Sequence, residues 1–411
     1  MRTSSIRLPP WRHRGFTLLE VMVASAIGLI VLGAGLVAAM QMQRRAQFEE
    51  QTMLAQVTGR TLAELITADL QRAGTGMGNA PIVFSDTRTQ TAVQVWTEPD
   101  LRNADMTRPF PADPGFAMPP AGHLEELRSD VLQIHWGDPR AMVTLTTHTC
   151  GGNSVRTGAQ DFCLVPNSST RLQPAGGAPP APAFVVNPNQ LLACHVRVDN
   201  VNPGNNRLTA RPGIGDEDVA NGPCAEPLAN LWAIDSEKES WRIMQAQTAT
   251  YRVNWAGGTP VLEYLGPGAA DWVPLSRDVE RLKVRLGVAA IAGPAPIGAL
   301  RWFPDEENGR DIGLDECTID TCPIEVHPAE VNAPNTNEEL RLRLGQRVRE
   351  VEVTLVVRTP RQDREAFDPR APIGRDKEEF PIDGYKRRTF TFRVALRNFA
   401  AGGLLPIPVG P

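Results

Sequence analysis

Between Phe16 and Met40 the chain runs for 25 residues with a single charged side chain, Glu20. As a helix this stretch is about 37 Å long at ~1.5 Å per residue. A bilayer core of ~30 Å is crossed by such a helix with some tilt. Arg2, Arg7, Arg12 and Arg14 precede it and none falls within it, which sets the N-terminus on the cytoplasmic side. An ordinary signal peptide has an apolar stretch of only ~7–15 residues, closed by small residues at its cleavage site. Here the stretch is longer and Gln41-Met42-Gln43-Arg44-Arg45 follows it. An ordinary anchor has no reason to carry an acid near the start of its span, where an ionised carboxylate costs about 2.5–3.5 kcal/mol. Glu20 is therefore a functional candidate.

The helical pattern continues past the apolar stretch. No proline occurs from Phe16 to Ala73, and Leu54, Val57, Leu62, Leu65, Ile66 and Leu70 recur at mixed spacings of three and four, as one apolar face requires. Gly74-Thr75-Gly76-Met77-Gly78 then ends the helix. A helix over 16–73 that is apolar all round and then amphipathic needs two environments. The first half suits lipid or a filament core, and the second half suits the surface of the chain's own folded domain.

Everything downstream reads as β-structure. Period-two alternation marks strands over 92–96, 131–136, 193–198, 248–255, 349–358 and 388–398. In 349–358, Val351, Val353, Leu355 and Val357 alternate with Glu350, Glu352, Thr354 and Arg358, apart from Val356, the antiparallel habit of one buried and one wet face. Glycine (35) and proline (36) are frequent enough to require many turns. Long loops are expected over 99–123, 166–183, 200–227, 293–338 and 360–385. The predicted class is α+β: a long N-terminal helix, transmembrane in its first half, packed on an antiparallel β-rich globular domain with long loops. The expected division is a leader (1–15), a transmembrane or filament-core helix (16–43), its amphipathic extension (44–78) and one β-rich domain with insertions (79–411).

Six cysteines, Cys150, Cys163, Cys194, Cys224, Cys317 and Cys322, all lie in this downstream region. An even count in a loop-rich exported segment reads as disulfides. Of the possible pairings the expectation is between neighbours: 150–163, 194–224 and 317–322. A zinc site would need CxxC-like pairs, and the tightest pair, Cys317-x4-Cys322, has no counterpart. The net charge is −5, and loss of the basic leader brings it to −9. An acidic chain without a basic stripe is not a nucleic-acid binder.

Catalytic constellations are missing from the sequence. The six histidines, His13, His123, His135, His148, His195 and His327, form no HExxH or His-x-His pair, and His135 and His195 sit in strand patterns as structural residues. There is no Gly-x-Ser-x-Gly elbow and no phosphate loop. The acidic run from Asp305 through Asp320 contains a glycine, but an EF-hand aligned on Asp305 puts Arg310 where glycine is required. A solvated acidic loop is the expectation there. No cofactor is expected, and the chain reads as a non-enzyme.

Gly15-Phe16-Thr17-Leu18-Leu19-Glu20 resembles the prepilin peptidase motif of type IV pilins and type II secretion pseudopilins. That resemblance implies cleavage between Gly15 and Phe16, methylation of the new Phe16 amine, and pairing of Glu20 with the N-terminal amine of a neighbouring subunit. Leu62 to Gly74 resembles the helix-end signature L-x-x-D-L-R-x-A-G of the PilW family of minor pilins. Leu275–Gly287, Arg347–Thr359 and Tyr385–Asn398 resemble its C-terminal segments, while 99–240 matches nothing in it. The family implies a type IV pilus minor pilin at the filament tip that primes assembly. Its partners would be prepilin peptidase, the inner membrane, other minor pilins, the major pilin and a tip adhesin. The C-terminal domain would be periplasmic before entering the filament. Two alternatives share the architecture: a J-type minor pseudopilin of type II secretion, and a tip adhesin.

Overall fold

The computed structural model describes residues 15–84, 89–102, 113–122, 124–157, 161–166, 171–176, 180–187, 192–212, 224, 241–291, 298–305, 312–322, 333–363, 373–378 and 380–400. The leader up to Arg14, residues 306–311 of the acidic run, and His13, His123 and His327 lie outside them. The chain divides into two compact units, Met1–Leu54 and Ala55–Pro411.

Helix α1 (Leu18–Arg72) begins two residues later and ends one residue earlier than the sequence pattern suggests. It is long and apolar enough to cross a membrane, and its most apolar window buries nothing against the rest of the chain. Phe16, Leu18, Leu29, Leu32 and Leu36 are all exposed. Within the second unit, Ala55, Gly59, Leu62, Ile66, Asp69 and Leu70 are buried. This stripe differs from the expected one. Leu54, Val57 and Leu65 are exposed, and small Ala55 and Gly59 take their place. The reason is proximity: the Phe390 ring lies where a Cβ on Gly59 would be. Gly74, with φ +70°, turns the chain out of the helix, in the left-handed region that favours glycine.

The β-structure comprises β1 (Ile82–Val83), β2 (Thr89–Gln90), β3 (Val93–Trp96), β4 (Val131–Thr144), β5 (Arg156–Thr157), β6 (Asp161–Cys163), β7 (Ala181–Asn187), β8 (Leu192–Asn202), β9 (Arg207–Pro212), β10 (Arg242–Asn254), β11 (Val261–Leu265), β12 (Val273–Ser276), β13 (Val279–Ala289), β14 (Leu300–Phe303), β15 (Val348–Arg358) and β16 (Arg387–Ala395). Two short helices, α2 (Asn337–Gln346) and α3 (Arg397–Ala400), and 3₁₀ turns at Glu125–Leu127, Ala256–Gly258 and Leu314–Glu316 complete the described elements. Strands β9 and β14 fall inside stretches expected to be loop. Strand β7 begins inside another, and α2 begins at the end of the stretch that holds β14. The expected strand over 388–398 gives way to α3 after Ala395.

Strands β1–β12 form one curled sheet, antiparallel except for β1 beside β8. Its spine is β10, which pairs with β4 along one side and with β7 and then β11 along the other. Strands β14-β13-β15-β16 form a second, fully antiparallel sheet. Its inward residues Leu282, Val284, Leu286, Val351, Val353 and Leu355 share one hydrophobic core with Leu62, Ile66 and Leu70 of α1. A second core gathers Phe162, Leu164, Val198, Leu208 and Trp241. Strand β7 separates the two, with Phe184 and Val186 in the first and Ala183 and Val185 in the second. A strand buried on both faces reads as a continuous apolar run, and 183–186 is one.

The structure pairs Cys150 with Cys163, Cys194 with Cys224, and Cys317 with Cys322, with Cα–Cα separations of 5.6, 5.9 and 5.4 Å. These lie within the range a disulfide requires.

Candidate functional site

The N-terminal site is built by local hydrogen bonding alone. Gly15 and Phe16 precede the helix in open backbone; Phe16 is 86% exposed, and a Cβ on Gly15 would meet nothing within 4 Å. Thr17 caps the helix. Its hydroxyl accepts from the Glu20 N–H at 3.3 Å, while Glu20 Oε2 accepts from the Thr17 N–H at 2.9 Å and from the Thr17 hydroxyl at 3.0 Å. This is a capping box, Thr-x-x-Glu, which satisfies backbone donors that the first turn leaves open. The sequence marks Glu20 as a carboxylate in a membrane span and, by resemblance, as a partner for a neighbouring subunit's amine. The Thr17 spacing was visible there, and it gives Glu20 a second, purely local job. Both bonds use Oε2. Among the described residues nothing engages Oε1.

The second unit holds a seam between the end of α1 and the β-domain. The Tyr251 hydroxyl on β10 donates to Asp69 Oδ2 at 2.6 Å, and Arg72 Nη1 donates to Asp69 Oδ1 at 3.2 Å. Burial raises the Asp69 pKa, only partly offset by the Tyr251 bond and the Arg72 charge. Burial, reinforced by the Asp69 charge, pushes the Tyr251 hydroxyl far above its usual range and that of Tyr264 up to about 12. Beyond the helix, Gly74 N–H donates to the His135 carbonyl and Gly137 N–H donates to the Thr75 carbonyl, each at 2.9 Å. Asn398 of α3 donates its side-chain amide to the Ala73 carbonyl at 2.8 Å. The helix end is thus held by three separate elements, β4, β10 and α3. No local sequence pattern announced Tyr251 or Asn398 as its partners, because both lie more than 180 residues away.

A second buried acid ties the C-terminal strands. Glu280 on β13 accepts from Arg387 of β16, Nε at 2.5 Å and Nη2 at 3.1 Å, and from Arg358 of β15 at 3.4 Å. Glu280 is fully buried. A buried carboxylate of this kind persists only where cations and hydrogen bonds surround it.

The remaining sequence candidates are structural here. His135 and His195 are buried and share Phe84 and Phe184 as ring neighbours, with centroids 5.1–6.4 Å apart. Desolvation lowers both pKa values to about 3. Asp315 of the acidic run is committed to Thr97, accepting from its N–H at 2.9 Å and its hydroxyl at 2.8 Å. Among the described residues no three His, Cys, Asp or Glu side chains gather as metal ligands would.

Residues 12–36 match the prokaryotic N-terminal methylation motif. No curated protein matches the chain, and no solved structure does. The motif spans the basic end of the leader, Gly15, Phe16, the capping box and the first turns of α1. It implies processing by a prepilin peptidase and assembly with other pilins in a membrane. With the apolar helix behind it, it supports a pilin- or pseudopilin-type protein held in the membrane by a single span.

Proposed function

We propose that this chain is a PilW-type minor pilin of the type IV pilus, cut between Gly15 and Phe16, methylated on the Phe16 amine and incorporated at the filament tip, where it primes assembly. The observation that carries the finer reading is a convergence in space. The four segments that resemble the PilW family form one body. Leu62, Ile66 and Leu70 of the helix signature share a core with β13, β15 and β16, which contain the three C-terminal segments and lie side by side in one sheet. Three of these segments carry a buried acid: Asp69, Glu280 and Glu352. Each holds its segment to another part of the domain. The unmatched middle builds the second core and carries the first two disulfides, an elaboration on the same frame.

The mechanism is packing rather than catalysis. The apolar half of α1 leaves the bilayer for the filament core. Glu20 Oε1 takes the N-terminal amine of a neighbouring subunit there, since a carboxylate in so dry a place needs a cation. The test is deletion in the cell of origin, followed by electron microscopy of surface pili and an assay of exported proteins. Loss of pili with normal export supports the minor pilin. Normal pili with lost export would instead make the chain a pseudopilin. Gly15→Glu should leave the leader attached, as read by mass spectrometry.

A further inference from the structure

A cleft of about 380 Å³ opens beside strand β3, bounded by the 3₁₀ turn Leu314–Glu316 and by α2. Strand β3 pairs only with β4 among the described residues, so this flank of the sheet ends at the cleft. The walls bring together Trp96, the amides of Gln90 and Gln94, the carboxylates of Asp315 and Glu338, and the guanidinium of Arg341.

Several of these groups are held in place from behind. Gln90 Oε1 lies 3.2 Å from His135 Nε2, which fixes its amide and leaves the amide nitrogen uncommitted. Thr97 engages both oxygens of Asp315. Arg341 Nε donates to the Cys317 carbonyl at 2.8 Å, beside the Cys317–Cys322 disulfide, and its two terminal nitrogens make no bond among the described residues. The side chains of Gln94 and Glu338 likewise make no hydrogen bond among the described residues.

The chemistry narrows the ligand. A metal ion would need a cluster of ligating side chains, and the described residues hold none. An anion would meet two carboxylates against one guanidinium. An apolar molecule would strand four polar heads against it, each costly to desolvate unpaired. A neutral polyhydroxylated ring meets none of these objections. Each of its hydroxyls both donates and accepts, and amide, carboxylate and guanidinium groups side by side supply both halves. An indole offers apolar surface to the C–H face of such a ring. The volume is near the small end of the ~300–1,000 Å³ typical of small-molecule sites, ample for a sugar ring and cramped for a peptide.

We propose that the cleft between β3 and α2 binds a neutral saccharide, with Gln94, Glu338 and Arg341 bonding its hydroxyls and Trp96 lining its apolar face. Binding of this kind requires neither leader cleavage nor filament assembly. It therefore stands or falls separately from the pilin reading.

The test is saturation-transfer NMR on the full chain in a detergent without a sugar head group. The probes are the methyl glycosides of glucose, galactose, mannose and N-acetylglucosamine, with glucuronic acid as the anionic control. At least one neutral glycoside should receive saturation on its ring protons. Gln94→Ala and Glu338→Ala should each weaken it by roughly tenfold, as loss of a hydrogen bond to a charged or paired group does. Neither side chain has a hydrogen-bond partner among the described residues, so both variants should unfold close to the wild-type temperature, Glu338→Ala slightly below it because an acid in the first turn of α2 favours the helix. An oligosaccharide ending in the same sugar distinguishes a glycan terminus, bound more tightly than the lone glycoside, from a free sugar, bound equally well; either supports the cleft. The proposal is overturned if no neutral glycoside binds, if glucuronic acid binds best, or if both variants bind as the wild type does.

Discussion

The hydroxyl of Tyr251 donates to the carboxylate of Asp69 across 182 residues of sequence and 2.6 Å of space, fastening the last turn of α1 to the spine of the large sheet. Asp69 is only 3% exposed, so the bond is what makes its burial tolerable. Tyr251→Phe leaves the carboxylate without its best donor and should destabilise the domain by about 1–3 kcal/mol. Asp69→Asn in the same background should recover part of the loss, because a neutral amide costs less to bury. Urea unfolding followed by circular dichroism measures both. Burial raises the folded-state pKa of Asp69 above its unfolded value, so its contribution is fully present only below the unfolded pKa and is lost as pH rises through the folded one. The Asn variant should therefore gain on the wild type as pH rises from acid to neutral.

Gly59 offers a sterically sharper test. A Cβ there would fall within the Phe390 ring of β16, so Gly59→Leu must displace either the helix or the strand. The expected cost is about 1–3 kcal/mol or more, as for overpacked cores. Gly59→Leu combined with Phe390→Ala should be more stable than the sum of the two single variants predicts. Additive losses would mean that the two positions do not touch.

One substitution can separate the capping bonds of Glu20 from the charge pairing proposed for it. Glutamine at the third helical position still completes a capping box, but it carries no charge. Glu20→Gln should keep the helix start, be cleaved and methylated, and fail to enter filaments. Glu20→Ala should lose both functions, fraying the first turn as well. Mass spectrometry reads processing, and immunoblotting of sheared filaments reads incorporation. Normal incorporation of the Gln variant would remove the charge from the assembly mechanism.

The buried histidines predict an acid-sensitive domain. Their folded pKa values are lowered to about 3 from an ordinary 6.5. The stability they lend is present above the unfolded value and is lost as pH falls toward the folded one. Near pH 5 each should cost about 2 kcal/mol, the free energy of holding an imidazole neutral. His195, whose Nδ1 has no hydrogen-bond partner among the described residues, is the one to replace. His195→Phe should flatten the fall of the melting temperature between pH 7 and pH 5 relative to the wild type.

What the sequence settled by itself is whatever rests on neighbours in the chain. The apolar stretch, its lone carboxylate, the glycine stop after Ala73 and the alternation of β15 and β16, broken in β15 only at Val356, are all local regularities, and each marks its element to within a few residues. The Thr17-x-x-Glu20 cap was equally local. So was its twin Thr336-x-x-Glu339, whose Thr336 hydroxyl accepts from the Glu339 N–H at 3.1 Å and which starts α2 at the end of a stretch expected to be loop. Only the tertiary structure decided which side of the helix faces the domain. Leu54, Val57 and Leu65 are as apolar as Leu62 and Ile66, and periodicity cannot rank two apolar stripes. The choice went to the stripe that carries Gly59, because Phe390 of β16 approaches too closely there for a larger side chain. The same holds for Asp69 and Glu280. Their partners come from strands far along the chain, and a buried acid can be recognised as such only once the fold has surrounded it.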